Sequence, residues 1–436
     1  MSVLATRPLA ATISRRWRDP AAWVTTADVF VVLVAMALPW STSLVSIFAA
    51  AFLVSMLPFL DVRDFLLSLR RPVCVLPMVL FALAVVGTLW SDAPWGARLY
   101  AIGPTVKLLL LPALFYHFER SSRGALVLIG FLVASGLLMV LSWVVLFAPQ
   151  FKVTATASVG VPVKNYIDQS QEFVFCALAL AYPVIDLLRA NRIRRAVLLA
   201  AIALSFLLNM TFVIVSRTAL VTMPVILVVF ALLHLKWRSV VGIFCVALLF
   251  AGLAWISSPT IRRAATTVFT DYQSYQEQNA ATSGGLRLEY WRKSLQFFAE
   301  APILGHGTGS TRGLFERAAV GQTGASADVV GNPHNQTLYV AVQWGVVGVI
   351  ALYAMWLMHL LLFRGAGLAN WIGVLVVVQN IFTSLFNSHL FDFHEGWMYV
   401  LGVGVAGGML LSTGARRAAV GPDRPSGHEK WYVRVG

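Results

Sequence analysis

The sequence predicts an all-α polytopic membrane protein with about 12 transmembrane helices. Three observations predict it. First, 58% of the 436 residues are hydrophobic and 12% are charged, about half the charged share of a soluble domain, which is roughly 25%. Second, the mean hydropathy is +0.77. Third, apolar runs of the roughly 20 residues that cross a bilayer recur along the chain. Backbone groups in lipid pair within their own segment, which favours helices over open sheet. A membrane barrel is excluded by pattern, because its strands alternate over about 10 residues.

The spans are expected at about 24–40, 42–60, 72–90, 99–117, 124–147, 170–188, 195–214, 218–235, 239–257, 335–361, 368–387 and 395–412. Pro39 and Trp40 mark a tight turn between the first two. The chain thus divides into nine spans over 1–257, a large polar loop with an amphipathic helix over 258–334, three spans over 335–412 and a basic tail over 413–436. The basic start (Arg7, Arg15, Arg16, Arg18) runs into two closely spaced spans and reads as a retained anchor. No internal repeat suggests a transporter built from two halves.

The formal charge of +14 does not point to nucleic acid. With both termini cytoplasmic, 21 of the 33 Lys and Arg fall on the inner side, most of them in short loops and tails beside spans. Such anchors orient membrane proteins, and they put the 258–334 loop and the 149–168 segment outside the cytoplasm. Cys74, Cys176 and Cys245 sit singly in apolar runs, so neither a disulfide framework nor a metal cluster is expected.

In the long loop, Leu286, Tyr290, Leu295 and Phe298 recur at near-helical spacing, widened by Leu288, Trp291 and Phe297. This predicts an amphipathic helix at the membrane surface, ended by Pro302. The small residues of 318–331 suggest a mobile lid.

His334 follows Pro333 at the start of the tenth span. With Asn332 as cap, it is expected in the first helical turn. There it is either an interfacial histidine with a local hydrogen bond or a base for a hydroxyl nucleophile, kept neutral by the helix N-terminus. Asn335 and Gln336 add groups that suit a sugar or phosphate oxygen. Arg217, in VIVSRTALVTMP, sits at a break too short for a real loop. It reads as a snorkelling turn arginine or as an anion site, since its fork matches phosphate oxygens. Arg287, in the amphipathic segment, is open to the same two readings. Arg98 and Lys107 lie toward the outer end of the fourth span, where Lys107 wants an anionic partner or a polar cavity. Gly305, His306 and Gly307 belong to a Gly-rich turn whose N–H groups suit an anion, though it lacks the ending of a nucleotide loop. His389, His394 and Glu395 lie at the last outer turn and do not form HExxH. The outer acidic residues are scattered, with no DxD-like pair. Phosphate neutralisation by arginine, with no metal and no cofactor, is the economical reading.

These pieces together resemble the O-antigen ligase family, within the superfamily that also holds O-antigen polymerases. The resemblance rests on SRTAL at 216–220, RLEYW at 287–291, LGHGTGS at 304–310 and HNQTLYVAVQWGVVG at 334–348. It implies a GT-C-type glycosyltransferase in the bacterial inner membrane with its active site facing the periplasm. The donor would be a glycan on undecaprenyl diphosphate and the acceptor a sugar hydroxyl of lipid A–core. Arg217 and Arg287 would hold the diphosphate and His334 would serve the acceptor, in an inverting step without metal or ATP. An O-antigen polymerase is the alternative within the class, and a lipid-linked glycan transporter the alternative outside it.

Overall fold

The computed structural model describes residues 19–155, 158–213, 216–235 and 237–420. Arg7, Arg15, Arg16, Arg18, Lys236 and the tail beyond Val420 lie outside the described residues, as does the side chain of Arg217. The described residues are helical throughout, with no strand among them. In order the helices are α1 Pro20–Ala37, α2 Thr42–Met56, α3 Val62–Ser68, α4 Pro72–Val86, α5 Trp95–Val106, α6 Leu110–Arg120, α7 Gly124–Phe147, α8 Tyr166–Ala179, α9 Ala181–Arg189, α10 Ile193–Phe212, α11 Arg217–His234 and α12 Trp237–Ser257. Then come α13 Pro259–Gln278, α14 Ser283–Glu300, α15 Thr311–Ala319, α16 Gln336–Leu362, α17 Leu368–Thr383 and α18 Phe393–Val420.

Every expected span coincides with a helix, and the protein is a multi-pass membrane protein. Among the described residues, however, seven stretches are long and apolar enough to cross a bilayer, or eight if α3 and α4, bent by 83°, form one broken span. Two of the expected spans are short helices: α4 stops at its Gly87 cap after 15 residues, and α17 has 16 residues.

Close helix packing without water rests on small residues. In α18, a Cβ added at Gly404 would lie 2.6 Å from the Leu114 Cβ, and one at Gly408 2.6 Å from the Phe118 Cβ. The absence of those atoms lets α18 lie directly on α6. On the side predicted to be inner, Arg71 donates twice to Glu119, at 2.8 and 3.0 Å, and ties α4 to α6.

The long polar segment is a folded body of helices α13 to α15. Helix α14 does form over the predicted amphipathic stretch, but its buried face differs from expectation. Tyr290 and Phe297 pack with Leu314, Phe315 and Val342, while Leu295 stays 56% exposed. Glu289 and Lys293 are buried beside them. Glu289 accepts hydrogen bonds from Arg292 at 2.6 and 2.9 Å and from the Tyr275 hydroxyl at 2.7 Å, and those partners hold its carboxyl down at about 2. Polar residues thus take part in the packed face of α14, which sits against α16.

The expected lid is pinned. The N–H of Ala325 donates to Asn279 O at 2.8 Å, Asn279 Nδ2 to Thr323 O at 2.7 Å, and Lys293 Nζ to Ser326 O at 2.5 Å. Tyr290 donates its hydroxyl to Asp328.

Candidate active site

The Gly-rich turn between α14 and α15 decides how the long segment meets the spans. Helix α16 is broken at Gly345, whose φ of 60° and ψ of −156° lie in a region essentially reserved for glycine. The break frees backbone groups, and the turn takes them. His306 N–H donates to Val342 O at 2.9 Å, Gly307 N–H to Gln343 O at 2.8 Å, and Val346 N–H to Pro302 O at 2.8 Å. Gly309 N–H donates to Gln343 Oε1 at 2.8 Å. Thr308 N–H reaches Gly87 O at 2.9 Å, and Trp344 Nε1 donates to the Thr308 hydroxyl at 2.9 Å. The expectation that these N–H groups cradle an anion is corrected: they grip α16 and the end of α4. Gly305 N–H donates to Ala301 O at 3.0 Å. The His306 imidazole is engaged too, with Nε2 2.7 Å from Phe297 O.

His334 lies just before α16, where α14 reaches it. The cap of α16 is Asn335, which accepts from Leu338 N–H at 3.0 Å. His334 thus precedes the helix instead of entering its first turn. Its backbone is left-handed, with φ 54°, a cost a non-glycine residue bears only where its surroundings hold it. Asn332 does the holding, accepting His334 N–H at 3.0 Å and the Ser388 hydroxyl at 2.7 Å. The imidazole stacks on Tyr290 with ring centroids 6.0 Å apart. Its Nδ1 lies 2.7 Å from Asn387 Oδ1, within hydrogen-bond distance. Burial lowers the imidazole pKa from its ordinary value, the Asn387 bond raises it, and the charge of Arg287 lowers it again.

Arg287 is therefore brought to the same place. It is half-buried on α14, and its charge is felt by both His334 and His389. Arg217 opens α11, with Ser216 as cap accepting Ala219 N–H at 3.4 Å. Its side chain, as noted, lies outside the described residues.

Behind His334 the turn between α17 and α18 closes a polar interior. Gln336 N–H donates to Ser384 O at 2.9 Å and Gln336 Oε1 accepts Leu390 N–H at 3.1 Å. Asn335 Nδ2 donates to Leu385 O at 3.1 Å. Asn387 Nδ2 donates to Asp392 Oδ2 at 2.7 Å. Lys107, expected to need an anionic partner or polar cavity, is buried and donates from Nζ to Phe391 O at 3.0 Å and to Asp392 O. His394 Nδ1 meets Asp168 at 2.6 Å. Both ring nitrogens of His389, Gln336 Nε2 and Glu395 Oε1 are buried with no hydrogen-bond partner, which is costly unless water or substrate reaches them. His389, Asp392 and Glu395 offer donor atoms within 4.8 Å of one another, near enough to hold a metal ion. Lys107 Nζ already occupies the backbone carbonyls beside this cluster.

Arg98 stands apart from this cluster. Its guanidinium donates to Ala93 O at 2.6 Å and Thr88 O at 2.8 Å and lies over Trp95. It ties the turn that leads into α5, the same turn Thr308 reaches through Gly87. The reading of residues singled out neither Asn387 nor Asp392. Both lie in FNSHLFDFHE, where polar residues crowd an interhelical turn, and that density was the available signal.

The structure thus gathers an imidazole, an arginine and a partly unsatisfied polar interior where the long segment meets the spans. Such a site suits acid–base work on a hydroxyl beside an anion. No curated protein matches the chain. Residues 199–353, from α10 to the middle of α16, are similar to the family described as O-Antigen ligase.

Proposed function

We propose that the protein is an O-antigen ligase. It transfers a glycan from undecaprenyl diphosphate to a sugar hydroxyl of lipid A–core at the periplasmic face of the inner membrane. The observation that carries the reading is the pairing of His334 with Arg287 inside the domain matched to the ligase family. The 21-to-12 division of basic residues supports the outward orientation of that site.

In this reaction the acceptor oxygen attacks the anomeric carbon from the face opposite the diphosphate. The bond from that carbon to the diphosphate oxygen breaks, and the leaving group keeps the electron pair. Arg287 and Arg217 neutralise the charge that grows there; a preorganised donor of this kind is worth about 3 kcal/mol in a transition state. His334 accepts the hydroxyl proton. Configuration inverts, no covalent intermediate forms, and the activated donor supplies the free energy without metal or ATP. The buried polar turn around Gln336 and His389 has spare hydrogen-bonding capacity for sugar hydroxyls. The crossing of all twelve expected spans, in a GT-C-type arrangement, belongs to the same reading.

A deletion strain tests it. Polymer should accumulate on undecaprenyl diphosphate while lipid A–core stays bare. Lipid A–core capped with a single repeat unit would instead identify a polymerase. Normal capped core would remove both readings.

A further inference from the structure

We propose that Asn387 and Asp392 are positioning residues that hold His334 in the tautomer protonated on Nδ1, leaving Nε2 as the proton acceptor. The inference deepens the role given to His334 above and rests on that role for its catalytic meaning.

A neutral imidazole carries its proton on one nitrogen, and the partner of one nitrogen sets the state of the other. Here the partner is an amide, which presents an acceptor oxygen or a donor nitrogen depending on its orientation. Asp392 selects between them. Its ionised carboxylate accepts only, so Asn387 must turn Nδ2 toward it, at 2.7 Å. Oδ1 is then left for His334, at 2.7 Å, and an amide oxygen can only accept. Nδ1 must therefore carry the proton. A proton on Asp392 would reverse every step. The carboxyl would donate to Oδ1, the amide would turn over, and its Nδ2 would donate to Nδ1. The imidazole would then hold its proton on Nε2 and could not take another there without becoming a cation.

The surroundings fix this chain of three. Lys107 donates to the backbone carbonyls of Phe391 and Asp392 and so anchors Asp392 from the α5–α6 stretch. Asn332 and Tyr290 lock the position of the His334 ring. Several titratable groups act on the pair. Asp168 from α8 and Lys107 act on Asp392, which in turn acts on Tyr339 of α16. Arg287 from α14 acts on His334, and both act on His389 of the turn between α17 and α18. Glu395 from α18 faces Asp392.

The test reads the tautomer directly. Full-length protein with ¹⁵N-labelled histidine is placed in lipid bilayers at pH 8 and examined by solid-state NMR. The His334 signal is the one missing in His334→Ala. The expected result is the Nδ1–H form in the wild type and a shift toward the Nε2–H form in Asn387→Ala and Asp392→Asn. Asn387→Asp should keep the Nδ1–H form, because its carboxylate still accepts from that nitrogen. In transfer assays with a lipid-diphosphate-linked glycan, the first two variants should lose about a hundredfold in kcat, within the range for a misplaced base. Their donor KM should stay within about threefold, because the diphosphate contacts are untouched. An Nε2–H form in the wild type, or a tautomer unmoved in both variants, overturns the proposal. The spectrum needs no turnover, so a wild type that shows the Nδ1–H form yet transfers no glycan would sink the ligase reading and leave the relay standing.

Discussion

Tyr290 and His334 lie ring over ring, centroids 6.0 Å apart and planes 29° apart. One residue belongs to the folded polar segment and the other to the lead-in of a spanning helix. The pair is a joint between the two parts of the molecule, and the Tyr290 hydroxyl extends it to Asp328. Phe315 packs edge-on against Tyr290 at 5.8 Å, so the ring is held from a second side.

Tyr290→Phe should keep the stack and transfer at a rate within about threefold of wild type. Tyr290→Leu should lose about tenfold, since an aromatic pair is worth about 0.5–1.5 kcal/mol beyond its buried area and about 1.4 kcal/mol is a factor of ten. Rates of purified proteins check this. Equal rates for the two variants would deny the stack any part in placing His334.

His334→Ala should abolish transfer and leave binding of the lipid-diphosphate donor intact. A base works when deprotonated, so the wild-type rate should fall as pH drops through the imidazole pKa. Burial and the Arg287 charge lower that pKa below the ordinary value, against the Asn387 bond. The fall attributable to His334 should therefore lie below the unperturbed pH of about 6.5. Activity of His334→Ala within a few-fold of wild type would remove it from the mechanism. Loss of donor binding would move it to the diphosphate.

The spans were legible because each is a local property: an apolar run needs no partner to be recognised. The lengths of α4 and α17 were not, since turns end them after 15 and 16 residues. The face of α14 misled for a related reason. Glu289 and Lys293 look like surface residues, yet both are buried, with Arg292, Tyr275 and Ser326 as their partners. Leu295 looks like core and is exposed. Asn332 was the expected cap and Asn335 is the observed one, a difference of three residues that puts His334 outside the helix. Asn387 and Asp392 gain their meaning only from contact with residues 53 apart and beyond, and no spacing encodes that.

Arg287→Ala should retain the fold and lose most transfer, by about 3 kcal/mol of transition-state stabilisation if it neutralises the leaving diphosphate. Arg217→Ala should behave alike. Arg217→Lys should also be poor, because a point charge does not reproduce the guanidinium fork. Near-normal rates in purified Arg287→Ala would return that residue to a lipid-anchoring role, and the same result for Arg217→Ala would end its assignment to the diphosphate.

Transfer should persist in excess EDTA and without ATP. The point at risk is the cluster of His389, Asp392 and Glu395, whose donor atoms stand within 4.8 Å. Lys107, on the carbonyls of Phe391 and Asp392, already places an amino group beside it. Activity lost in EDTA, restored by one divalent ion and no longer responsive to it in His389→Ala, would put a metal at this cluster.

Gly345→Ala should unfold the joint between α16 and the Gly-rich turn. Its φ of 60° and ψ of −156° alone cost a residue with a side chain about 1–3 kcal/mol. Space adds to this, because the new Cβ would stand 2.2 Å from Ile303 O and 2.7 Å from Leu304 N. Those atoms are backbone of the very turn that donates to and accepts from the broken helix, so neither can withdraw without breaking hydrogen bonds such as Val346 N–H to Pro302 O. Gly136→Ala in α7 is the control, since nothing lies within 4 Å of its added Cβ and alanine favours a helix over glycine by about 1 kcal/mol. Thermal unfolding in detergent and protease cleavage between residues 300 and 335 measure both. Gly345→Ala should melt lower and be cut faster in the long segment, while Gly136→Ala should match wild type or exceed it. A Gly345→Ala protein as stable as the control would mean that the turn does not depend on the break in α16.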